Sequence, residues 1–312
     1  MCPRAPISRL CATYRIFTIY HVDVVAYVAD IYFSGLVRPE TTVKWYRRLH
    51  WALPSISKLV WEKQEASVLY SKGLIMPSEG MKEVMLRSYP ECPPEKIHVL
   101  PWGVSDPSYA GDAVPLRHEF NVPDNARVLL TLSRISPEKG QDLLLDKLID
   151  WERQADYPSE PLWLFICGEA AFMQGFAYLE KLRSLAAKLK KTRVVFPGYV
   201  TGDRKKAFFA LADLYVFPSR HESYGLTLLE ALAAGVPAVC LDHHGARSVM
   251  REEFGAIVHP SGLIPAIKRL LNDPNLSKMR VAARLFALEN RFSDQAAVLA
   301  NLIHAKAQSR KG

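Results

Sequence analysis

From residue 127 onward, short β-branched, aromatic and aliphatic runs alternate with longer amphipathic ones, and this alternation most limits the folds open to the chain. Strands are expected at Arg127 to Ser133, Leu162 to Cys167, Arg193 to Phe196, Leu214 to Phe217, Val236 to Leu241 and Ala256 to Val258. Helices are expected between them, at Pro137 to Asp150, Ala177 to Lys190, Asp203 to Leu211, Gly225 to Ala234 and Ala246 to Glu252. Strand-helix alternation of this kind is the pattern of a doubly wound parallel sheet. It makes residues 107–290 one α/β domain.

Upstream, Val22 to Val28 reads as a buried strand, Thr42 to Leu53 and Ile56 to Tyr70 as helices, Gly73 to Met76 as a strand and Gly80 to Tyr89 as a helix. A short strand, Ile97 to Leu100, leads into a turn-rich stretch that ends near Ala113, so a boundary is expected near residue 106. Residues 1–106 then form a partial first domain. The closing helices, from Leu276 to about Gln308, are polar on one face, and residues 291–312 are expected to pack back on that first domain. The 312 residues, 49% of them hydrophobic, are enough for two cores.

No run approaches the length of a membrane span, because Glu230, Gly235 and Pro237 interrupt the most apolar one. Arg15 interrupts the only candidate signal segment. The five cysteines, Cys2, Cys11, Cys92, Cys167 and Cys240, are odd in number, scattered and without CxxC spacing. They fit neither a disulfide framework nor a zinc site, and a reducing cytoplasm is expected. The net charge of +8 permits attraction to phosphates, nucleic acid or an anionic membrane. No nucleic-acid recognition motif is present and the charges are spread over many elements, so nucleic acid is not the expected partner. One concentration stands out, Lys44-Trp45-Tyr46-Arg47-Arg48-Leu49-His50-Trp51. It reads either as a helix at a membrane interface, peripheral to the inner face, or as a surface helix whose tryptophans face its own core.

Open parallel sheets bind ligands at the carboxyl ends of their strands. The first turn there is Ser133-Arg134-Ile135-Ser136-Pro137-Glu138-Lys139-Gly140. Ser136 suits an N-cap and Pro137 a first helical position, which puts Lys139 in a first turn. A lysine there is misplaced by up to about 1 kcal/mol unless an anion sits nearby. With Arg134 it would clamp a phosphate or diphosphate; the other reading is two solvated loop charges.

The second turn runs from Pro218-Ser219-Arg220-His221-Glu222 through Ser223-Tyr224-Gly225 into a helix apolar nearly all round, which must be buried. Glu230 falls between Leu226, Leu229 and Ala233 on that helix, so it needs hydrogen-bond donors. Ligand hydroxyls such as those of a ribose would serve; an internal arginine or a protonated carboxyl would serve too. Gly225 lets a ligand reach the helix amides closely. Glu222 lies in the turn itself, either solvated or facing whatever fills the site.

Glu222 and Glu230 with seven residues between them, Phe217-Pro218-Ser219 before and Ala234-Gly235-Val236-Pro237 after, resemble the signature of the family-four retaining glycosyltransferases of GT-B fold. Ser133-Arg134 to Lys139-Gly140, Cys167-Gly168-Glu169 and Phe196-Pro197-Gly198-Tyr199-Val200 fall in that family's order, and Ile75 to Met81 with Ile97 to Val104 resemble the end of its first domain. The resemblance implies two Rossmann-like domains with a cleft between them, the N-terminal one incomplete, and a nucleotide-sugar donor linked to UDP, GDP or ADP. It implies a saccharide, lipid-linked or small-molecule acceptor, and no metal or separate cofactor. By carry-over, Arg134 and Lys139 hold the diphosphate, the backbone of Tyr224, Gly225 and Leu226 meets the distal phosphate and Glu230 binds the ribose. Glu222 lies against the donor sugar, and Gly198, Tyr199, Val200 and Thr201 border the base.

The family's Gly-rich loop is absent before Val22, and its His-Asp pair after a first-domain strand corresponds here to Ala29-Asp30. These departures keep open a catalytically inactive nucleotide-sugar-binding module or partner subunit of a glycosyltransferase. His243-His244-Gly245 stands where the family has Gly-Gly, with the two histidines as substrate contacts or loop residues. A dinucleotide oxidoreductase would need a GxGxxG turn, and none is present.

Overall fold

The computed structural model describes residues 16–22, 24–25, 29, 37–52, 55–105, 109–171 and 174–308. It divides into two compact units, Met1–Trp102 with Ser293–Gly312, and Gly103–Phe292. The boundary expected near residue 106 lies outside the described residues.

The first unit carries a parallel sheet of three strands, β1 (Phe17–Ile19), β2 (Gly73–Met76) and β3 (Ile97–Val99), in the order β1-β2-β3. Helices α1 (Pro39–Leu49), α2 (Ser55–Tyr70) and α3 (Glu79–Ser88) accompany it, with a 3-10 turn at His50–Ala52. Ser78 caps α3, its Oγ accepting from the Met81 amide at 3.3 Å. Val43, Tyr46, Trp61, Leu74, Met81 and Met85 share one core, in which Tyr46 and Trp61 stack at 5.5 Å.

One sequence expectation fails here. Val22 lies in a bend, and Val24, Val25 and Ala29 are helical, so Val22 to Val28 is not a strand; the remaining positions of that run lie outside the described residues. Val25 and Ala29 are both fully buried at helical spacing. A short apolar run has no period that separates a buried strand from a buried helix face. The first strand described, β1, precedes the run instead.

The second unit is built on a parallel sheet of six strands, β4 (Arg127–Leu132), β5 (Leu162–Cys167), β6 (Thr192–Gly198), β7 (Leu214–Phe217), β8 (Ala238–Leu241) and β9 (Gly255–Val258). Their order is β6-β5-β4-β7-β8-β9. Helix α4 (Val114–Phe120) leads in, and α5 (Gln141–Trp151), α6 (Gly175–Ala186), α7 (Gly202–Leu211), α8 (Leu226–Ala233) and α9 (His244–Val249) are the crossovers. Helices α10 (Leu263–Leu271) and α11 (Leu276–Glu289) follow, and α12 (Phe292–Gln308) falls, from Ser293 on, in the first unit. β5 and β7 are buried along their whole length, which is why continuous apolar runs encode them. α11 lies against the end of α8, where Arg284 donates to the Ala234 carbonyl at 3.3 Å and Arg280 to that of Gly235 at 3.4 Å. Both cations meet the negative end of the helix dipole.

Candidate functional site

The chain runs outward from β4 through β5 to β6, then returns beside β4 with β7 and runs the other way. Crossovers on the two sides of this switch point diverge, which opens a crevice at the carboxyl ends of β4 and β7. The two turns picked out in the sequence are the ones that leave those strands. Tyr215 marks the junction: its buried hydroxyl donates to the Leu132 carbonyl and pairs with Thr227 Oγ1, each at 2.9 Å. Burial drives its pKa far above the ordinary phenol value.

The turn after β4 differs from expectation. Pro137–Lys139 forms a 3-10 turn, and α5 starts only at Gln141, because Gly140 turns left-handed at φ 67°. Ser136 gives no side-chain cap and donates to Glu138 Oε1 at 2.7 Å. The physical cause is contact with the second turn, since a Cβ on Gly140 would come within 2.0 Å of the Pro218 carbonyl oxygen. Gln141, fully buried, donates from Nε2 to Ser133 Oγ and to the Arg134 carbonyl, each at 2.9 Å, and holds the rest of the turn.

Lys139 Nζ lies 2.5 Å from Glu222 Oε1. Both side chains are largely sheltered, and Ser219 Oγ adds a longer bond of 3.3 Å to the same oxygen. The residues that sequence reasoning assigned separately to diphosphate and sugar are thus one ion pair. Arg134 is half exposed, with Glu138 Oε1 at 3.9 Å from its guanidinium.

Arg220 was not singled out in the sequence, although it stands two residues before Glu222. Its amide donates to the Glu138 carbonyl at 2.8 Å, its guanidinium reaches the Pro137 carbonyl, and Nη2 donates to Asp142 Oδ1 at 2.9 Å. One side chain therefore ties the second turn to the 3-10 turn of the first and to the start of α5. Asp142 also accepts from Tyr178 at 2.8 Å and Lys181 at 2.7 Å. Burial works against its charge, but these donors outweigh burial and hold its pKa below the usual range.

α8 opens on Gly225, left-handed at φ 94°. The first amides of a helix have no intrahelical partner, so its start is an anion-favouring surface. Tyr224 beside it is buried, which pushes its hydroxyl pKa up to about 12, and its backbone packs against Gly245 so closely that a Cβ there would lie 2.6 Å away. The Gly245 amide donates to the Glu222 carbonyl at 3.1 Å. His243 is the N-cap of α9, with Nδ1 accepting from the Ala246 amide at 3.0 Å. Nε2 then carries the proton. Burial, with the charges of His221, Lys139 and His244, lowers its pKa to about 3.

Glu230 has a protein donor, Lys205 Nζ at 2.7 Å from Oε1, in place of an internal arginine or a protonated carboxyl. It is partly exposed, and the stripe expected around it is open at one side because Leu226 faces solvent while Leu229 and Ala233 are buried. Lys205 comes from α7, which starts after the turn Gly198 to Thr201. In that turn Gly198 is left-handed with open space where a Cβ would stand, Tyr199 is exposed, Val200 is buried and Thr201 precedes the helix without a side-chain cap. The Gly198 carbonyl accepts from the Gly168 amide at 2.8 Å, so the ends of β5 and β6 meet.

The histidine that follows the carboxyl end of β1 is His21, which stacks on Trp102 at 5.0 Å. Ala29 is buried in helix, and Asp30 lies outside the described residues.

The family model for glycosyl transferases group 1 matches residues 115–284. The chain belongs to this family. Among group 1 relatives it is 30% identical over 236 residues to a GDP-mannose-dependent alpha-(1-6)-phosphatidylinositol monomannoside mannosyltransferase of Mycolicibacterium smegmatis, covering 70% of this chain and 59% of that protein. It is 34% identical over 155 residues to the mannosylfructose-phosphate synthase of Agrobacterium fabrum, covering 48% and 33%. The chain thus spans 59% or less of the length of these two group 1 enzymes. Anabaena HepE in complex with UDP superposes with a TM-score of 0.71 at 17% identity, over 97% of this chain and 82% of that one, which shows the shared GT-B fold. Among the described residues no helix is long and apolar enough to cross a membrane.

Proposed function

We propose that the chain transfers a sugar, with retention at the anomeric carbon, from a nucleotide-diphosphate sugar to a hydroxyl of a saccharide, lipid-linked or small-molecule acceptor. The observation that carries this reading is the meeting of two strand-end turns at the switch point, with Lys139 and Glu222 paired where they touch. Arg134 and Lys139 take the diphosphate, and the amides of Tyr224, Gly225 and Leu226 meet its distal phosphate. Glu230, positioned by Lys205, takes the ribose hydroxyls, and the turn Gly198, Tyr199, Val200, Thr201 borders the base. Glu222 faces the donor sugar once Lys139 has turned to phosphate.

The bond between the anomeric carbon and the diphosphate oxygen breaks as the acceptor oxygen bonds to that carbon on the same face. The acceptor's proton passes to the departing phosphate. Lys139, Arg134 and the α8 amides stabilise the charge that develops there, in place of a metal or separate cofactor. The name of the Mycolicibacterium relative makes a lipid-linked acceptor part of this reading, with the protein at the inner, cytoplasmic face of an anionic membrane.

Isothermal titration with UDP, GDP and ADP tests the donor site: one nucleotide binds, and both Lys139→Ala and Glu230→Ala weaken it. A folded wild-type chain that binds none of the three refutes the proposal.

A further inference from the structure

The segment Lys44 to Trp51 was open to two readings, and its side chains separate them. The face of α1 that packs inward is Thr42, Val43 and Tyr46, with Tyr46 stacked on Trp61. Tyr46 and Trp61 are each 7% exposed, whereas Trp45 is 44% and Trp51 73% exposed. The two outward tryptophans therefore do not face their own core. Lys44, Trp45, Arg48 and Leu49 form one stripe at helical spacing on the opposite side of α1, all of them exposed. Trp51 extends it in the following turn. α2 begins beside Trp51, where Lys58 Nζ donates to the Trp51 carbonyl at 3.2 Å, and it exposes Leu59 and Val60.

The cations of this segment divide by task. Arg47 is committed to the fold, between Glu65 at 3.5 Å and Glu91, over the ring of Tyr89. Lys44 and Arg48 have no ion-pair partner among the described residues. Between residues 37 and 63 there are six lysines and arginines against two glutamates. A surface for nucleic acid would use the cations and a ring, but it has no use for Leu49, Leu59 and Val60. Exposed indole rings, exposed aliphatic side chains and uncommitted cations together match a bilayer surface, where rings and aliphatic groups enter the headgroup boundary and cations meet lipid phosphate.

We infer that the outer face of α1 with the His50–Ala52 turn and the start of α2 is a docking surface for an anionic lipid bilayer. This deepens the membrane contact in the proposed function and is independent of donor binding, which belongs to the other unit. Docking by this face would hold the first unit at the lipid headgroups and present it to acceptors that sit there.

The test is sedimentation of the intact chain with vesicles of phosphatidylcholine alone and of phosphatidylcholine mixed with phosphatidylglycerol. The chain is expected to sediment with the mixed vesicles and not with the neutral ones. Lys44→Glu with Arg48→Glu, and separately Trp45→Ser with Trp51→Ser, each lower partitioning about tenfold or more. Both double variants keep the circular dichroism and nucleotide affinity of the wild type. Lack of sedimentation with the mixed vesicles, or partitioning that neither double variant changes, overturns the inference. So does a dimer in light scattering that Trp45→Ser with Trp51→Ser dissolves while vesicles are ignored, or RNA retention that Lys44→Glu with Arg48→Glu abolishes while vesicles are ignored. Vesicle binding by a chain that binds no nucleotide would refute the donor reading and leave this surface standing.

Discussion

Gly140 and the carbonyl of Pro218 touch: a Cβ on the glycine would sit 2.0 Å from that oxygen. This contact fixes the distance between the turn after β4 and the turn after β7, and so between Lys139 and Glu222. Gly140→Ala combines a left-handed φ of 67° with that clash. It is expected to cost about 2 kcal/mol or more in urea unfolding, and to weaken nucleotide binding in calorimetry. An unchanged affinity would mean that the two turns are seated by something other than this contact.

Lys139→Ala removes a cation from the proposed diphosphate site and leaves the Glu222 carboxylate facing it. Nucleotide affinity should fall by about tenfold to a hundredfold, the range of a charge-assisted hydrogen bond. Glu222→Gln should act differently, keeping or raising nucleotide affinity while sugar transfer falls. If both variants lose affinity alike, the roles assigned to the pair are wrong.

Arg220→Gln keeps Lys181 and Tyr178 on Asp142 but removes the guanidinium from the Pro137 carbonyl. Stability should drop by about 1 kcal/mol, with a several-fold loss of nucleotide affinity because Lys139 sits on the loosened turn. Urea unfolding and calorimetry on one preparation separate the two effects. A loss of stability alone would make Arg220 a residue of the fold only.

His243 links stability to pH. Its folded pKa is about 3, below the unfolded value near 6.5, so the unfolded chain binds the extra proton between them. Its contribution is whole above that unfolded value and is lost as pH falls toward 3, by about 2 kcal/mol at pH 5. His221, Lys139 and His244 oppose the proton and Asp242 favours it, with burial the larger cause. His243→Asn keeps an N-cap oxygen for the Ala246 amide and has nothing to titrate. Urea unfolding at pH 7.5 and pH 5 should show a smaller acid loss in the variant; equal losses would place the linkage elsewhere.

Much of the second unit was legible because its signals are local. Leu162–Cys167 and Leu214–Phe217 are apolar from end to end, as strands covered on both faces are, and the amphipathic runs that alternate with them decide the reading. What escaped depends on residues far apart in the chain. Pro137 to Asp150 carries the pattern of one helix, and the Pro218 carbonyl breaks it at Gly140. Glu230 calls for a donor, but nothing near it in sequence says that Lys205 supplies it. Arg220 has the composition of any polar turn residue until Asp142 and Pro137 are set beside it. In the first unit Val24 and Val25 are helical where a strand is expected, because apolar residues in a short run fit either period.

The Lys139 ammonium has a resident counterion. A diphosphate that arrives must displace a carboxylate already held at 2.5 Å, so binding proceeds by exchange of partners within the protein more than by release of ions from solution. Nucleotide affinity should therefore decline with added salt less steeply than a bare lysine would make it, and Glu222→Gln should restore the steeper decline. Exchange also sets a condition on the ligand. The carboxylate released from Lys139 needs new donors, and the hydroxyls of a donor sugar would supply them where the nucleoside diphosphate left after transfer, its ribose assigned to Glu230, has none to offer, so the pair favours the intact donor over that product.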